Sequence, residues 1–335
     1  MEAALVQRAG LPFRAIQGGG VHGVGWRLPR NAVQLVRGLV EALGLVRAYQ
    51  PNAVLVTGGF ITVPVALAAW LRRVPVLVYL PDIEPALAVK VISQVARRIA
   101  VTVEQSLAYF RGRADRVVMT GYPVRPELAA LAADPTARDV ARAHFDLPAD
   151  VPTVLVTGGS RGARSLNRAV LAALPDWLPD FAVIHLSGEL DWPEVEAARR
   201  ALPEALQGRY RAFPFLHEMG LALAAADLVV SRAGASALGE YPLFGLPAIL
   251  VPYPFAWRYQ KVNADHLAAS GAAVRLNDED LAARLQAEVR GLLADPARLA
   301  AMRSAARAAA RPEAADRLAR EFVALAGGTG SEVLP

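Results

Sequence analysis

Apolar positions along the chain follow two alternating patterns. Short runs of consecutive, mostly β-branched residues occur at 54–56 (VLV), 76–79 (VLVY), 116–119 (RVVM), 154–156 (VLV), 182–185 (AVIH), 228–230 (LVV) and 248–251 (AILV). Between them, apolar residues return every three or four positions, as at 31–49, 165–174, 235–244 and 258–269. A continuous apolar run reads as a strand buried on both faces, and the longer spacing reads as an amphipathic helix. Their alternation predicts an α/β chain of doubly wound parallel sheets covered by helices. A Pro-bearing loop at 145–152 (FDLPADVP) precedes a fresh strand and marks the domain boundary. The expected organisation is 1–147, 148–328 and a disordered polar tail at 329–335, with helix from Asp280 to the tail. In two such domains with a cleft between them, ligands sit at the carboxyl ends of strands, so the strand-to-helix loops carry the chemistry.

A length of 335 residues agrees with two domains. At 54% apolar and 20% charged, the chain is too hydrophobic to be disordered. The absence of Cys excludes a disulfide scaffold, thiolate zinc sites, Fe–S clusters and a cysteine nucleophile. The net charge of +5 is unevenly spread: residues 1–147 hold 17 Lys and Arg against 10 Asp and Glu, and residues 148–335 hold 19 against 21. Only the first half is therefore expected to face something anionic. No secretory signal opens the chain. The apolar territory at 53–80 is broken by glycine, proline and arginine well short of the ~20 residues that a bilayer span needs. A cytoplasmic or peripheral protein is expected. Within the first half, Arg27, Arg30, Arg37 and Arg47 flank Val33, Val36, Leu39, Val40, Leu43 and Val46 at helical spacing. Such a helix can lie on anionic lipid or pack on a core with Arg at its rim, and both readings stand. Nucleic acid is not expected as a partner, because Arg is scattered and no recognition motif occurs.

Three strand-to-helix loops stand out. They are Thr57-Gly58-Gly59-Phe60, Thr157-Gly158-Gly159-Ser160-Arg161-Gly162-Ala163-Arg164 and Ser231-Arg232-Ala233-Gly234-Ala235-Ser236. Glycine lets backbone approach a ligand closely, and free N–H groups at a helix start attract phosphate. Any one loop can be an ordinary tight turn. Two in one domain, with Ser and Arg beside them, suit a diphosphate. A fourth glycine run, Gly18-Gly19-Gly20-Val21-His22-Gly23, fits G-x-G-x-x-G by letter. It lacks a strong strand before it and a helix directly after it, so the dinucleotide reading fails. His22 reads as a surface loop residue.

Several segments in order, GGSRGARSLN (158–167), FLHEM (215–219), ADLVVSRAGASALGE (226–240), GLPAILVPYP (245–254) and Asn263-Ala264, resemble the MurG family of peptidoglycan glycosyltransferases. In the first half Gly58-Gly59-Phe60, Ala68-Ala69-Trp70 and GYPVR (121–125) are similar too, the family having G-N-P-V-R at the last. The resemblance covers nearly the whole chain. It implies glycosyltransferase family 28 and a GT-B fold of two Rossmann-like domains, with a UDP-sugar in the second. By position it implies that Arg125 and Ser160 reach the nucleotide diphosphate, with Gly158 and Gly159 in the loop beside it. Ala235, Ser236, Ala237, Leu238 and Gly239 would wrap the phosphates at a helix start. The Leu216 backbone would read uracil, and Glu240 would bind the ribose hydroxyls. A carboxylate can accept both hydroxyls of a ribose, which favours that role for Glu240 over a solvated helix carboxylate. Gly58 and Gly59 fall on the acceptor side.

The sequence departs from the family in three places. After the Val-Pro strand, Tyr259 stands where the family has the first of two Gln that contacts the donor sugar, and Gln260 stands at the second. At 79–85 the chain reads YLPDIEP where the family has His-Glu-Gln-Asn, so Asp82 falls at the Asn and Glu84 adds a carboxylate. Either can be a base or can cap a helix starting near Pro85. Function is favoured for Asp82, which becomes the catalytic candidate, and capping for Glu84. Third, the family begins with a strand and a Gly-rich loop ending in His, and neither precedes Met1. About 30–40 residues, a βα unit plus a strand, are expected to be encoded upstream.

The implied function is an inverting transfer of a sugar, N-acetylglucosamine in the closest family version, from a UDP-sugar to a lipid-diphosphate acceptor at the cytoplasmic face of the cell membrane. A base would deprotonate the acceptor hydroxyl and amides would stabilise the departing UDP. No metal and no cofactor beyond the UDP-sugar is expected. The alternatives are another GT-B enzyme, such as a glycolipid synthase or UDP-sugar epimerase, and a catalytically impaired nucleotide-binding homologue.

Overall fold

The computed structural model describes residues 6–7, 10–16, 28–159, 162–255 and 258–327, with side chains of the first helix from 34 onward. His22, Arg27, the Gly18–Gly23 run, Ser160, Arg161 and the 329–335 tail lie outside the described residues, as does the side chain of Arg30. The chain divides into two compact units. One comprises residues 1–80, 85–119 and 318–335, and the other 81–84 and 120–317.

The first unit holds a four-stranded parallel sheet of β1 (Val54–Val56), β2 (Val76–Leu80), β3 (Arg98–Val101) and β4 (Val117–Met119), ordered β1-β2-β3-β4. β2 is buried at all five positions, as its unbroken apolar run requires. β1 is the edge, with Leu55 39% exposed. The helix Thr62–Leu71 contributes Ala66 and Ala69 to the core around Val78, Leu80 and Ile99. The helix Leu28–Tyr49 divides its apolar positions. Ala42 and Val46 pack on Ala68, whereas Val36 and Val40 are exposed. Core packing thus accounts for one stripe of the helix and leaves the other exposed.

The second unit is a six-stranded parallel sheet of β5 (Thr153–Thr157), β6 (Ala182–Leu186), β7 (Tyr210–Phe213), β8 (Leu228–Ser231), β9 (Ala248–Leu250) and β10 (Ala273–Arg275). Its order is β10-β9-β8-β5-β6-β7. The chain builds outward from β5 to β7, then crosses back to β8 on the other side of β5. Val154 to Thr157 of β5 stand in register with Leu228 to Ser231 of β8. The helix Arg164–Trp177 covers the sheet with Leu166, Val170, Leu174 and Trp177, an i, i+4, i+8, i+11 stripe.

The boundary differs from the expected 147/148. The helices Pro126–Ala133 and Ala137–His144 belong with the second unit: the first lays Leu128 and Leu131 beside Gly220, and the arginines of the other are anchored there. Arg138 makes two 2.9 Å hydrogen bonds to Asp227, Arg303 reaches the same carboxylate at 2.7 Å, and Arg142 bonds Thr153 and the Val151 carbonyl. Burial alone would raise the pKa of Asp227, but these bonds and one from the Thr153 N–H hold it below the usual range. At the other end, the helix Ala314–Leu325 carries Leu318, Phe322 and Leu325 onto Leu77, Tyr79 and Ala100 of the first sheet. The final helix therefore closes the unit that the chain began with.

Candidate functional site

Where a doubly wound sheet reverses its strand order, the loops leaving the two strands part and leave room at their carboxyl ends. Here that point lies between β5 and β8, whose last residues, Thr157 and Ser231, are register partners. Both glycine loops of the second half leave from it. The first is shaped by backbone contact. A Cβ on Gly158 would stand 2.4 Å from the Ala163 nitrogen, and one on Gly162 (φ +73°) would stand 2.3 Å from the Ser187 carbonyl oxygen. Neither position admits a side chain. Gly162 N–H donates to the Gly159 carbonyl at 3.0 Å, closing the turn.

The second loop differs from expectation. The single helix expected over 235–244 is a 3-10 turn, Ala235–Leu238, followed by a five-residue helix, Glu240–Phe244, with Gly239 between them at φ −122°. The ring of Tyr122 reserves position 239 for glycine: a Cβ there would stand 2.6 Å from it. Ala237 and Gly239 donate their N–H groups to the Gly234 and Ser236 carbonyls. In a turn of this kind the leading amides, those of Ala235 and Ser236, have no carbonyl of the turn ahead of them.

Around these loops the second unit gathers Asp82, Tyr122, Arg125, Glu240, Tyr259 and Asn263. Asn263 is wholly buried and grips the 81–84 segment. Its Nδ2 donates to Asp82 Oδ1 at 2.8 Å and to the Ala233 carbonyl at 3.1 Å, and its Oδ1 accepts from the Ile83 N–H at 3.3 Å. Burial raises the Asp82 pKa above the usual carboxylate range, with the Asn263 hydrogen bond offsetting part of the rise. Glu240, half-buried at the head of its helix, is raised by burial and partly restored by the charge of Arg125. Tyr122 is raised by burial first, then by Glu240 and Asp82, against Arg125. Tyr259 is raised by burial, then by Glu84 and Asp82.

One expected role changes. Glu84 does not cap the helix Leu87–Val95, whose N-cap is Ala86 and carries no side-chain cap. Pro85 and Ala86 intervene, and Glu84 turns instead toward Arg258 at 3.3 Å. Gln260, expected at the donor sugar, also accepts the Tyr253 N–H through Oε1 at 2.8 Å, which leaves its two Nε2 hydrogens and one Oε1 lone pair for a ligand. Leu216 lies half-buried in the loop after β7, on the far edge of the sheet from β9. Gly58 and Gly59 (φ +94° and +87°) follow β1 in the first unit, tied by Thr62 Oγ1 to their carbonyls at 3.0 and 2.8 Å. Sequence reading assigned no role to Tyr122 or Asn263. Their signals were a Tyr where the family has Asn and an Asn three residues beyond Gln260. Among the described residues, no group of three or more His, Asp or Glu is placed to hold a metal ion.

Comparison with known proteins adds to this geometry. The glycosyltransferase family 28 N-terminal domain matches residues 1–101, and the glycosyltransferase family 28 C-terminal domain matches residues 153–318. The UDP-N-acetylglucosamine--N-acetylmuramyl-(pentapeptide) pyrophosphoryl-undecaprenol N-acetylglucosamine transferase of Roseiflexus sp. (strain RS-1) is 43% identical, the match covering 95% of this chain and 80% of the relative. The protein of the same name from Desulforudis audaxviator is 38% identical over 98% of this chain and 88% of its own. Among solved structures, Acinetobacter baumannii MurG is similar with a TM-score of 0.72 at 24% identity, covering 96% of this chain and 87% of that one. A UDP-GlcNAc 2-epimerase from Neisseria meningitidis bound to UDP-GlcNAc is similar with a TM-score of 0.63 at 13% identity, covering 87% and 81%. These last two likenesses concern the GT-B fold.

Proposed function

Since this chain belongs to glycosyltransferase family 28, we propose that it transfers N-acetylglucosamine from a UDP-sugar to a lipid-diphosphate-linked muramyl-peptide, the step that completes lipid II in peptidoglycan synthesis. The observation that carries the reading is the 43% identity to a transferase of that name over 95% of the chain. The paired glycine loops at the β5/β8 reversal support placing the donor there.

In this reading Gly158 and Gly159, with Ser160, form the first wall of the diphosphate site, and Ala235 and Ser236 head the second. Ala237, Leu238 and Gly239 shape the turn behind them. Arg125 supplies positive charge, Glu240 accepts the ribose hydroxyls, and the Leu216 backbone reads the uracil. Tyr259, with the Nε2 of Gln260, meets the donor sugar. Asp82 takes the proton from the acceptor hydroxyl as that oxygen attacks the sugar carbon and the bond to UDP breaks. A raised pKa suits a base, since a more basic carboxylate holds the transferred proton more strongly. Backbone amides stabilise the charge developing on UDP. The UDP-sugar is a co-substrate, and the reading needs no other cofactor. Gly58 and Gly59 serve the acceptor.

The reading also includes attachment to the cytoplasmic face of an anionic membrane through the first unit. That unit exposes Val36, Val40, Trp70 and Leu71 together with Arg37, Arg72 and Arg73. Apolar side chains enter the interface, and each basic group near anionic lipid adds about 1 kcal/mol. No described helix is long and apolar enough to cross a membrane.

The test is incubation of the full chain with UDP-N-acetylglucosamine and the lipid-linked muramyl-peptide, followed by mass analysis of the lipid. A glycolipid heavier by one N-acetylhexosamine is expected. An epimerised UDP-sugar with the lipid unchanged would overturn the reading.

A further inference from the structure

A run of buried polar side chains beside β5 and β6 takes no part in the roles above. Asn167, His185, Ser187 and Asp191 are at most 6% exposed, and Tyr210 is 1% exposed. Tyr210 Oη lies 2.7 Å from His185 Nδ1, and His185 Nε2 lies 3.0 Å from Asn167 Oδ1. Asn167 Nδ2 donates to the Ser187 carbonyl at 2.9 Å and to Asp191 Oδ2 at 2.8 Å. Asp191 Oδ1 accepts from Arg164 Nε at 2.9 Å.

The direction of these bonds follows from the donor inventory. Asn167 gives both amide hydrogens to a carbonyl and a carboxylate, so its oxygen faces His185 and accepts. His185 therefore carries its proton on Nε2. Burial pushes its pKa down to about 3, so the ring is neutral near pH 7 and its bare Nδ1 accepts from the Tyr210 hydroxyl. From Tyr210 through His185 to Asn167 the donors thus point one way, from β7 through β6 to the helix that follows the glycine loop, while Arg164 donates into Asp191 from the other side.

The run ends against that loop. The Ser187 carbonyl that Asn167 holds is the atom that a Cβ on Gly162 would strike at 2.3 Å, so Gly162 lies directly on it. Arg164, held by Asp191, begins the helix as the loop ends. An apolar residue at 185 would suit its strand neighbours Ile184 and Leu186, but it would leave Asn167 Oδ1 buried and unpaired. A fully satisfied polar chain in an otherwise apolar layer fixes one arrangement of the groups that it joins.

We propose that Tyr210, His185 and Asn167 are positioning residues, a one-way hydrogen-bond relay that fixes the glycine loop at Gly162 and Ala163, where it leads into its helix, for receiving the donor diphosphate. The consequence for the donor rests on the reading of that loop given above. The hold on the loop itself does not.

The experiment compares His185→Leu, which removes both ring nitrogens, with His185→Gln, which keeps an N–H for Asn167 Oδ1. Amide hydrogen exchange at Gly159, Gly162 and Ala163 without ligand reads the loop, and titration with UDP reads the donor site. His185→Leu is expected to speed loop exchange and weaken UDP binding by about tenfold each, with His185→Gln within about twofold of the parent. Tyr210→Phe, which removes only the first donor, is expected to speed loop exchange by about threefold, and it carries the test if His185→Leu does not fold. Equal effects of Leu and Gln at 185, or unchanged loop exchange in the variants, would overturn the relay. If exchange behaves as expected but the parent chain does not bind UDP, the relay stands and the donor reading fails.

Discussion

The two sheets of this protein are both parallel and both covered by helices, yet they suit different work. In the first, the described strands run β1-β2-β3-β4 in chain order, with no reversal. In the second, the chain returns across β5 to form β8, and two glycine loops leave from the reversal. A reversal opens a crevice lined by backbone N–H groups, which suits a small anionic ligand. The first unit instead turns apolar and basic side chains outward, Trp70, Leu71, Arg72 and Arg73 among them. In the proposed reading, one fold class yields a ligand cradle or a contact surface according to strand order and to what the helices expose.

The largest expected effect breaks the chemistry while sparing the cradle. Asp82→Asn retains an oxygen for the Asn263 hydrogen bond but cannot accept the acceptor's proton. Transfer should fall by about 10²–10⁴ in kcat, with UDP affinity within twofold. Undiminished transfer would place the base elsewhere. The raised pKa of Asp82 also gives its pH dependence a sign. The base must be ionised, so kcat should fall as pH drops through that pKa, at a pH above the ordinary carboxylate range. A rate profile that is flat into that range contradicts the assignment.

Next in size, Glu240→Ala should weaken UDP by about 1.5–3 kcal/mol through loss of charge-assisted bonds to the ribose. Calorimetric titration measures this, and an unchanged Kd would put the ribose elsewhere. A pair of glycine variants then compares the units directly. Gly162→Ala places a Cβ against the Ser187 carbonyl and should cost more than about 2 kcal/mol of stability. Gly59→Ala, also at positive φ but with nothing within 4 Å, should cost only about 1 kcal/mol. Equal losses in denaturant melts would mean that the second loop is no tighter than the first. The smallest effect belongs to the surface. Replacing Arg37, Arg72 and Arg73 with Gln should weaken binding to anionic vesicles by about 1 kcal/mol per site at low salt, leaving UDP affinity unchanged. Equal binding of the parent chain to neutral and anionic vesicles would remove the electrostatic account.

The sequence revealed the strands with unbroken apolar runs and concealed those that carry an arginine. β3, β7 and β10 contain Arg98, Arg211 and Arg275, which interrupt the apolar run that marks a buried strand. In the fold these guanidinium groups leave the sheet for partners elsewhere: Arg98 meets Glu321, Arg211 meets Asp146, and Arg275 meets Asp265. Residue type alone does not reveal that route. The glycine loops were legible because their chemistry is local and their strands strong. The need for glycine at 239 was not, because the ring that crowds it, Tyr122, lies more than a hundred residues away in sequence. The 147/148 boundary followed a proline-bearing loop. The compact units instead part at Met119/Thr120, where Arg138 and Arg142 reach Asp227, a contact with no counterpart in local pattern. Glu84 looked like a cap because it precedes a helix, whereas the position of the cap, at Ala86, is set by backbone geometry.

The central claim, that the reversal between β5 and β8 holds the donor, is tested most directly by amide hydrogen exchange of the full chain with and without UDP. Protection should appear at residues 158–163 and 231–240, with little change at 57–60 in the first unit. Protection confined to 57–60, or none at either loop of the second unit, would contradict the account.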